Sequence, residues 1–506
     1  MAEGVRAGSP VRTRFAPSPT GLVHIGNVVA VIISAALAKK SGGQFFIRIE
    51  DTDRARFEAE AEQLVYESLS WLGIEWVEGP DKGGPFGPYR QSERLDHYEE
   101  YAERLLSSGR GYRCWCSPER LEEMRRAQQA KQLAPRYDRL CLGKTVAERR
   151  ALPGFSERST VRLAMPTEGQ FTFRDAIRGE ISFDYATQQD PIVVRSDGYP
   201  VYHLAAMVDD HDMQVTHIVR GEEWISTTPV HHQVFDALGW EPPVIAHSPL
   251  LLNTDKTKIS KRKHPWANIH WFREQGYLPE AIVNYLGNLV ALVPDPENPD
   301  RSIARELFGL DEVAEHIDLA KIGPSGKIID LPRLEWLNGQ YIRRFSPTEF
   351  RERVQPFMHG LGALDEEILA KALPLEQERL KRLGEAAEVL GFFFRDEEYE
   401  PQLLIPRGLD KVKTLETLEA ARQALEDLAK EGPGWTADAL KDALYPLAEA
   451  LGVKAGQLFG AGAVRAAVTS RTVGPPIFET MEVLGPETVR RRLSTAIDKL
   501  TAFESA

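Results

Sequence analysis

Residues 11–53 read VRTRFAPSPTGLVHIGNVVAVIISAALAKKSGGQFFIRIEDTD, and the order of elements in this stretch decides the fold. Val11 to Ala16 reads as a short strand. Pro17 to Gly21 is a turn, and Gly26 to Lys40 is an apolar helix that stops at Gly42-Gly43. Gln44 to Glu50 is a β-rich run, and Asp51-Thr52-Asp53 is expected to cap a helix running to about Leu72. Strand, helix, strand, helix in this order implies a parallel sheet with right-handed crossovers, and so an α/β domain.

Working outward, Val215 to Arg220 and Val244 to His247 read as further strands, with Ser226 to Leu238 as a helix between them. Cys114 to Val194 breaks that rhythm. It holds all three cysteines, a basic helix and short strands at Val161 to Met165 and Glu180 to Phe183, and reads as an insertion into the sheet domain. After Lys263 the chain turns helical, with a Pro-rich linker from Pro294 to Pro299. From about Ser346 it is rich in Leu, Ala, Glu and Arg, broken at Gly432-Pro433-Gly434. A length of 506 residues implies several domains. The apolar run Val28 to Ala38 is too short to span a bilayer. A signal peptide there would carry away the residues that bear chemistry, so none is expected. Three cysteines cannot all pair, which favours a reducing compartment. The net charge of −13, taken alone, argues against a nucleic-acid partner, yet Arg120 to Arg150 and Thr257 to His264 are locally basic.

Two motifs carry the chemistry. His24 and Gly26 lie where strand turns to helix, and a helix N-terminus offers free N–H groups and a partial positive charge to phosphate. Gly26 lets a nucleotide come close to the backbone. Lys258 and Lys261 flank Ser260 in the run Lys258-Ile259-Ser260-Lys261-Arg262, where two ammonium groups can neutralise a departing pyrophosphate. Alone, the first is an ordinary turn with a surface His and the second a basic surface loop. In this order, at both ends of one α/β domain, they point to attack on the α-phosphate of ATP and to activation of a carboxylate.

These residues carry a resemblance. Pro19 to Asn27 resembles the HIGH signature of class I aminoacyl-tRNA synthetases, and KISKR their KMSKS loop. Arg12 to Gly21 resembles the opening of glutamyl-tRNA synthetases of bacterial type. So do Arg48 to Arg54, Gly87 to Ser92, Ser196 to Pro200, Val208 to His211 and Arg220 to Trp224. The resemblance implies a Rossmann-type catalytic domain in two halves (1–110 and 196–255) around an inserted α+β acceptor-end domain (111–195). A KISKR loop with stem-contact helices (256–337) and an all-α anticodon-binding region (338–506) would follow.

It also implies roles. Glutamate would be held by Arg14, Ala16, Ser18, Glu50, Tyr202 and Arg220, with Arg suited to carboxylates. ATP, with Mg²⁺, would meet His24, Gly26, Asn27, Glu223, Trp224, Leu250, Leu251, Lys258, Ser260 and Lys261. His24, Gly26, Lys258 and Lys261 would be catalytic. The family usually has Asn where this chain has Ala206. Some members bind zinc here, and Cys114, Cys116, Tyr137 and Cys141 are the corresponding candidates, although the family's His ligand is replaced by Gly143. Three reduced structural cysteines are the alternative. Arg379 lies near the family's contact to the third anticodon base. The implied partners are L-glutamate and tRNA(Glu), with tRNA(Gln) open, for a cytoplasmic monomer without a membrane segment. Glutaminyl-tRNA synthetase shares both motifs but opens RFPPEPNG and generally lacks an Arg at the place of Arg220. A truncated base-modifying relative lacks the helical C-terminal region. A non-catalytic tRNA-binding paralogue would not need both motifs intact.

Overall fold

The computed structural model describes residues 10–19, 21–53, 59–260, 263–297, 305–362, 364–431 and 434–503. Two compact units divide the chain: Met1–Trp271 with Ile282–Asp330, and Phe272–Ala281 with Leu331–Ala506.

The first unit is built on β1 (Arg12–Phe15), α1 (Ile25–Lys40) and β2 (Gln44–Ile47). β1 and β2 pair in parallel, Arg12 opposite Gln44 and Phe15 opposite Ile47. α1 buries Val28, Val31, Ile33, Ser34 and Ala36, which lie on every side of it, so it is a core helix. Gly42, at φ +64°, takes the left-handed conformation that turns the chain back toward β2. α2 (Ala59–Trp71) and α3 (Leu95–Ser107) follow. The start of the helix expected after Asp51-Thr52-Asp53, and with it the expected cap, lies outside the described residues; the Asp51 carboxylate accepts from the Ser92 N–H at 2.8 Å and from the Ser92 hydroxyl at 2.6 Å.

The interruption contains β3 (Gly111–Cys116), α4 (Pro118–Ala130), α5 (Val146–Arg150), β4 (Phe155–Leu163), β5 (Gln170–Asp175), β6 (Gly179–Asp184) and β7 (Ile192–Val194). β3, β4 and β7 form an antiparallel sheet in that order, and β5 and β6 form a hairpin. The sheet domain resumes with α6 (Tyr202–Asp212), β8 (His217–Gly221), α7 (Thr228–Leu238) and β9 (Val244–Ser248). β8 and β9 pair in parallel, and Thr216 joins them to β1 by donating its N–H to the Arg12 carbonyl at 3.0 Å. The helix expected from Ser226 is a 3₁₀ turn up to Thr227 and an α-helix only from Thr228.

The second unit is helical. Its longest helices among the described residues, Lys411–Glu431 and Ile477–Ala502, pack against each other, and Leu418, Leu425, Leu493 and Leu500 on them are buried. The latter helix is kinked at Gly485, at φ +75°, followed by Pro486. Among the described residues, no helix is long and apolar enough to cross a membrane.

Candidate active site

A cavity of about 550 Å³ opens at the C-terminal ends of the parallel strands, where α/β sheets bind ligands. Arg14, Ala16, Ser18, Glu50, Tyr202 and Arg220 all line it, together with Asn27, Glu223 and Trp224. Residues expected from five segments of the chain thus meet around one space.

One wall is an ion network. Arg14 donates Nε and Nη2 to the two Asp210 oxygens at 2.9 and 3.1 Å, which leaves its Nη1 edge unused by Asp210. Arg48, fully buried, donates to Asp210 at 2.7 Å and to Glu50 at 3.0 Å, with Asp209 3.6 Å away. Burial raises the Asp210 pKa, but Arg14 and Arg48 outweigh it and hold that carboxyl below its usual range. At Glu50 burial wins and its pKa is raised, with Arg48 and Arg14 opposing.

A second part of the lining is built on β8. Arg220 donates Nε to His247 Nε2 at 3.0 Å, Nη1 to His231 Nδ1 at 2.7 Å and Nη2 to the Thr228 hydroxyl at 3.0 Å. Among the described residues it makes no salt bridge. Burial lowers its pKa from the usual arginine value. It is a buried cation whose partners are all neutral, and a carboxylate in the cavity is the group that would complete it. The Tyr202 ring packs 4.6 Å from Trp224 and 5.4 Å from His231. A Cβ on Gly221 would stand 2.2 Å from Glu223 Oε2, so glycine there makes room for that carboxylate beside the cavity.

His24 is the N-cap of α1: its Nδ1 accepts from the Gly26 N–H at 3.0 Å. In the neutral ring the proton then sits on Nε2, the nitrogen that can donate to a phosphate. A Cβ on Gly26 would press on His24 Nδ1 at 3.0 Å, so glycine also protects the cap. The backbone at His24 pairs with Asn268, just beyond the second motif, so the chain returns from that motif to the first. Lys258 is exposed, and Ser260 donates its N–H to His264 Nδ1 at 3.3 Å. Leu251 lies in a two-residue strand, Leu251–Leu252, paired with Lys327–Ile328. Leu250, Leu251, Lys258 and Ser260 are not among the residues lining the cavity. Lys261 and Arg262 lie outside the described residues.

Residues 10–336 match the family described as tRNA synthetases class I (E and Q), catalytic domain. The chain belongs to that family. The synthetase also matches, at residues 349–497, the family described as anticodon binding domain. It is 47% identical over 497 residues to a Glutamate--tRNA ligase of Acidothermus cellulolyticus, covering 96% of this chain and 95% of that protein. It is 41% identical to one of Dehalococcoides mccartyi, covering 98% and 99%. The solved structure of a glutamate tRNA ligase from Elizabethkingia meningosepticum, in complex with its amino acid, superposes with a TM-score of 0.82 at 29% identity, over 97% of this chain and 100% of that one.

The synthetase insertion brings Cys114, Cys116 and Cys141 together, their sulfurs all within 4.8 Å and buried. Tyr137 Oη lies 3.3 Å from Cys114 Sγ and 3.4 Å from Cys116 Sγ. Cys116 and Cys141 are 3.6 Å apart, close to the edge of about 3.8 Å that tetrahedral zinc–sulfur bonds of ~2.3 Å would set. Arg120 and Arg149 approach Cys116 Sγ at 3.5 and 3.6 Å, where their charge suits thiolates. The Cys116 and Cys141 thiols hold the Cys114 thiol well below its ordinary range. The donor set fits a soft divalent ion. In the second unit, Arg379 is exposed, with Nε 3.4 Å from the buried Glu376 carboxylate.

Sequence reasoning missed Asp175, His203, His231 and His247, which surround Arg220, and assigned no role to Arg48, Asp209 or Asp210. The acidic pair had a signal: two adjacent carboxylates in the otherwise apolar run Leu204 to Val208 and beyond must find buried partners. Ala206 is fully buried in an apolar cluster with Leu204, Val208 and Val234.

Proposed function

We propose that this chain joins L-glutamate to the terminal ribose of tRNA(Glu) as a glutamate--tRNA ligase, in two steps. The α-carboxylate of glutamate attacks the α-phosphate of ATP, which enters with Mg²⁺, and pyrophosphate leaves. The ribose hydroxyl of tRNA then attacks the mixed anhydride, releasing AMP. No protein nucleophile is needed, and catalysis is positioning and electrostatics.

The observation that carries the reading is Arg220: a buried cation without an acidic partner among the described residues, facing a cavity whose other wall offers Glu50 and the Nη1 edge of Arg14. Glu50 receives the substrate ammonium, and the two arginines receive carboxylates. A neutral amide would leave Arg220 unpaired, which disfavours glutamine. His24 donates from Nε2 to phosphate, and Lys258 with Lys261 offsets the charge on the leaving pyrophosphate. Asn27, Glu223, Trp224, Leu250, Leu251 and Ser260 frame the nucleotide. The insertion takes the acceptor end of the tRNA, and the helical region, with Arg379, takes the anticodon. The enzyme works in the cytoplasm as a monomer.

ATP–pyrophosphate exchange with tRNA present tests the substrate. Exchange with glutamate is expected; exchange with glutamine alone would remove the assignment. Charging of purified tRNA(Glu) and tRNA(Gln) then fixes the tRNA. Zinc is our choice for Cys114, Cys116, Tyr137 and Cys141, as a structural ion. Metal analysis of untagged protein should find one zinc per chain, and Cys141→Ser should lose it.

A further inference from the structure

Among the described residues, Arg220 reaches a carboxylate of its own chain through an intervening ring. Its Nε donates to His247 Nε2 at 3.0 Å, so that nitrogen carries a lone pair and the ring proton sits on Nδ1. His247 Nδ1 lies 2.6 Å from Asp175 Oδ2, and both side chains are fully buried. Asp175 comes from β5 of the insertion and is itself fixed. Its Oδ1 accepts from the Ile177 and Arg178 N–H groups, each at 2.9 Å, and its Oδ2 from the His247 N–H at 3.1 Å.

We propose that Asp175 is a positioning residue for the substrate carboxylate: by holding the Nδ1 proton of His247 it keeps the Nε2 lone pair aimed at Arg220, orienting the guanidinium without neutralising it. A carboxylate placed directly on Arg220 would hold it equally well and would cancel the charge that the cavity needs. One ring away, the same carboxylate sets only direction. The second arm follows the same logic. His231 Nδ1 accepts from Arg220 Nη1 at 2.7 Å, so its proton is on Nε2, which faces His203 Nδ1 at 3.1 Å. Every group touching the cation is neutral, and Asp175 supplies the tautomer. This inference deepens the reading of the cavity as a glutamate site and rests on it.

The test is Asp175→Asn. The Asn oxygen can still accept from Ile177 and Arg178, but its amide N–H faces His247 Nδ1. The ring proton must then move to Nε2, where it meets the Arg220 Nε–H. In tRNA-dependent exchange the KM for glutamate should rise roughly tenfold or more, as for a lost charge-assisted hydrogen bond. The kcat and the KM for ATP should stay near wild type, and preference for glutamate over glutamine should shrink. Adding His247→Gln, whose amide oxygen accepts from Arg220 without a tautomer, should recover most of the loss. A folded Asp175→Asn variant with unchanged glutamate KM overturns the proposal. So does a rise shared by the KM for ATP and not relieved by His247→Gln. If Asp175→Asn does not fold, His247→Gln against His247→Leu carries the test. The Gln variant should keep the glutamate KM and the Leu variant raise it, and equal behaviour overturns the proposal. A wild-type enzyme that exchanges only with glutamine would instead remove the reading of the site, independently of any variant.

Discussion

Arg48 and Arg220 are both buried in the sheet unit, yet Arg48 is ringed by Glu50, Asp209 and Asp210, while among the described residues Arg220 bonds to neutral groups. Burial works against both cations. At Arg48 the three carboxylates overcome it and the pKa is raised; at Arg220 nothing does and the pKa is lowered. The difference separates structure from binding. A compensated arginine holds Glu50 and Asp210 in place, and through Asp210 it holds Arg14. An uncompensated one stores an unmet demand for negative charge that a substrate can satisfy.

The comparison breaks most sharply at Arg48. Arg48→Leu removes the cation shared by three buried carboxylates: Asp210 keeps Arg14 and Asp209 keeps Arg94 at 2.7 Å, but Glu50 loses its hydrogen-bonded partner, and the change should cost about 3–5 kcal/mol of stability, as for one partner removed from a buried ion network. Denaturant unfolding followed by a probe in the sheet unit measures this. A loss below about 1 kcal/mol, the scale of an exposed ion pair, would mean that the network is not structural.

Arg220→Leu should cost less stability. It removes a cation whose described neighbours are neutral, at the expense of its hydrogen bonds to His231, His247 and Thr228, so the ligand-free protein should lose clearly less stability than with Arg48→Leu. Its kcat/KM for glutamate should fall by roughly a hundredfold or more, the scale of truncating one side of a buried charge pair. Equal destabilisation by the two substitutions would erase the distinction between the two arginines.

What the sequence disclosed follows the same division. The order β1, α1, β2 was legible because Pro17 to Gly21 and Gly42-Gly43 punctuate it locally. Arg14, Glu50 and Arg220 were legible through motifs, since each stands in a short contiguous run. The surroundings of Arg220 were not. Asp175, His231 and His247 come from a hairpin, a helix and a strand far apart in the chain, and no local pattern marks a histidine as a neutral acceptor. The compensated wall left a trace at Asp209-Asp210, whereas the uncompensated one left none, because its defining feature is a missing partner.

The smallest effect sharpens the contrast through pH. Burial, with Arg220 nearby, pushes His203 and His232 each down to about 4, and lowers His231 and His247 as well. Burial also lowers His217. In the unfolded chain these histidines titrate near 6.5. Between about 6.5 and 4 the unfolded state therefore binds more protons, so their contribution is complete above about 6.5 and is lost as pH falls. Glu50 and Asp209, raised by burial, act in the opposite sense but are two groups against five. The helical unit has the reverse case in Glu376, which burial raises to about 7 against Arg379 and Arg471. Its contribution is complete below about 4.5 and is lost as pH rises through 7. Acidification from pH 7 to 5 should therefore loosen the sheet unit and tighten the helical one. Hydrogen exchange read by mass spectrometry, with rates corrected for the intrinsic effect of pH, resolves the two units separately. Arg220→Leu should weaken the pH response of the sheet unit, because it removes the cation that helps to keep these histidines neutral, and should leave the response at Glu376 unchanged. A pH response of the sheet unit that ignores Arg220 would assign the histidine shifts to burial alone and detach them from the uncompensated cation.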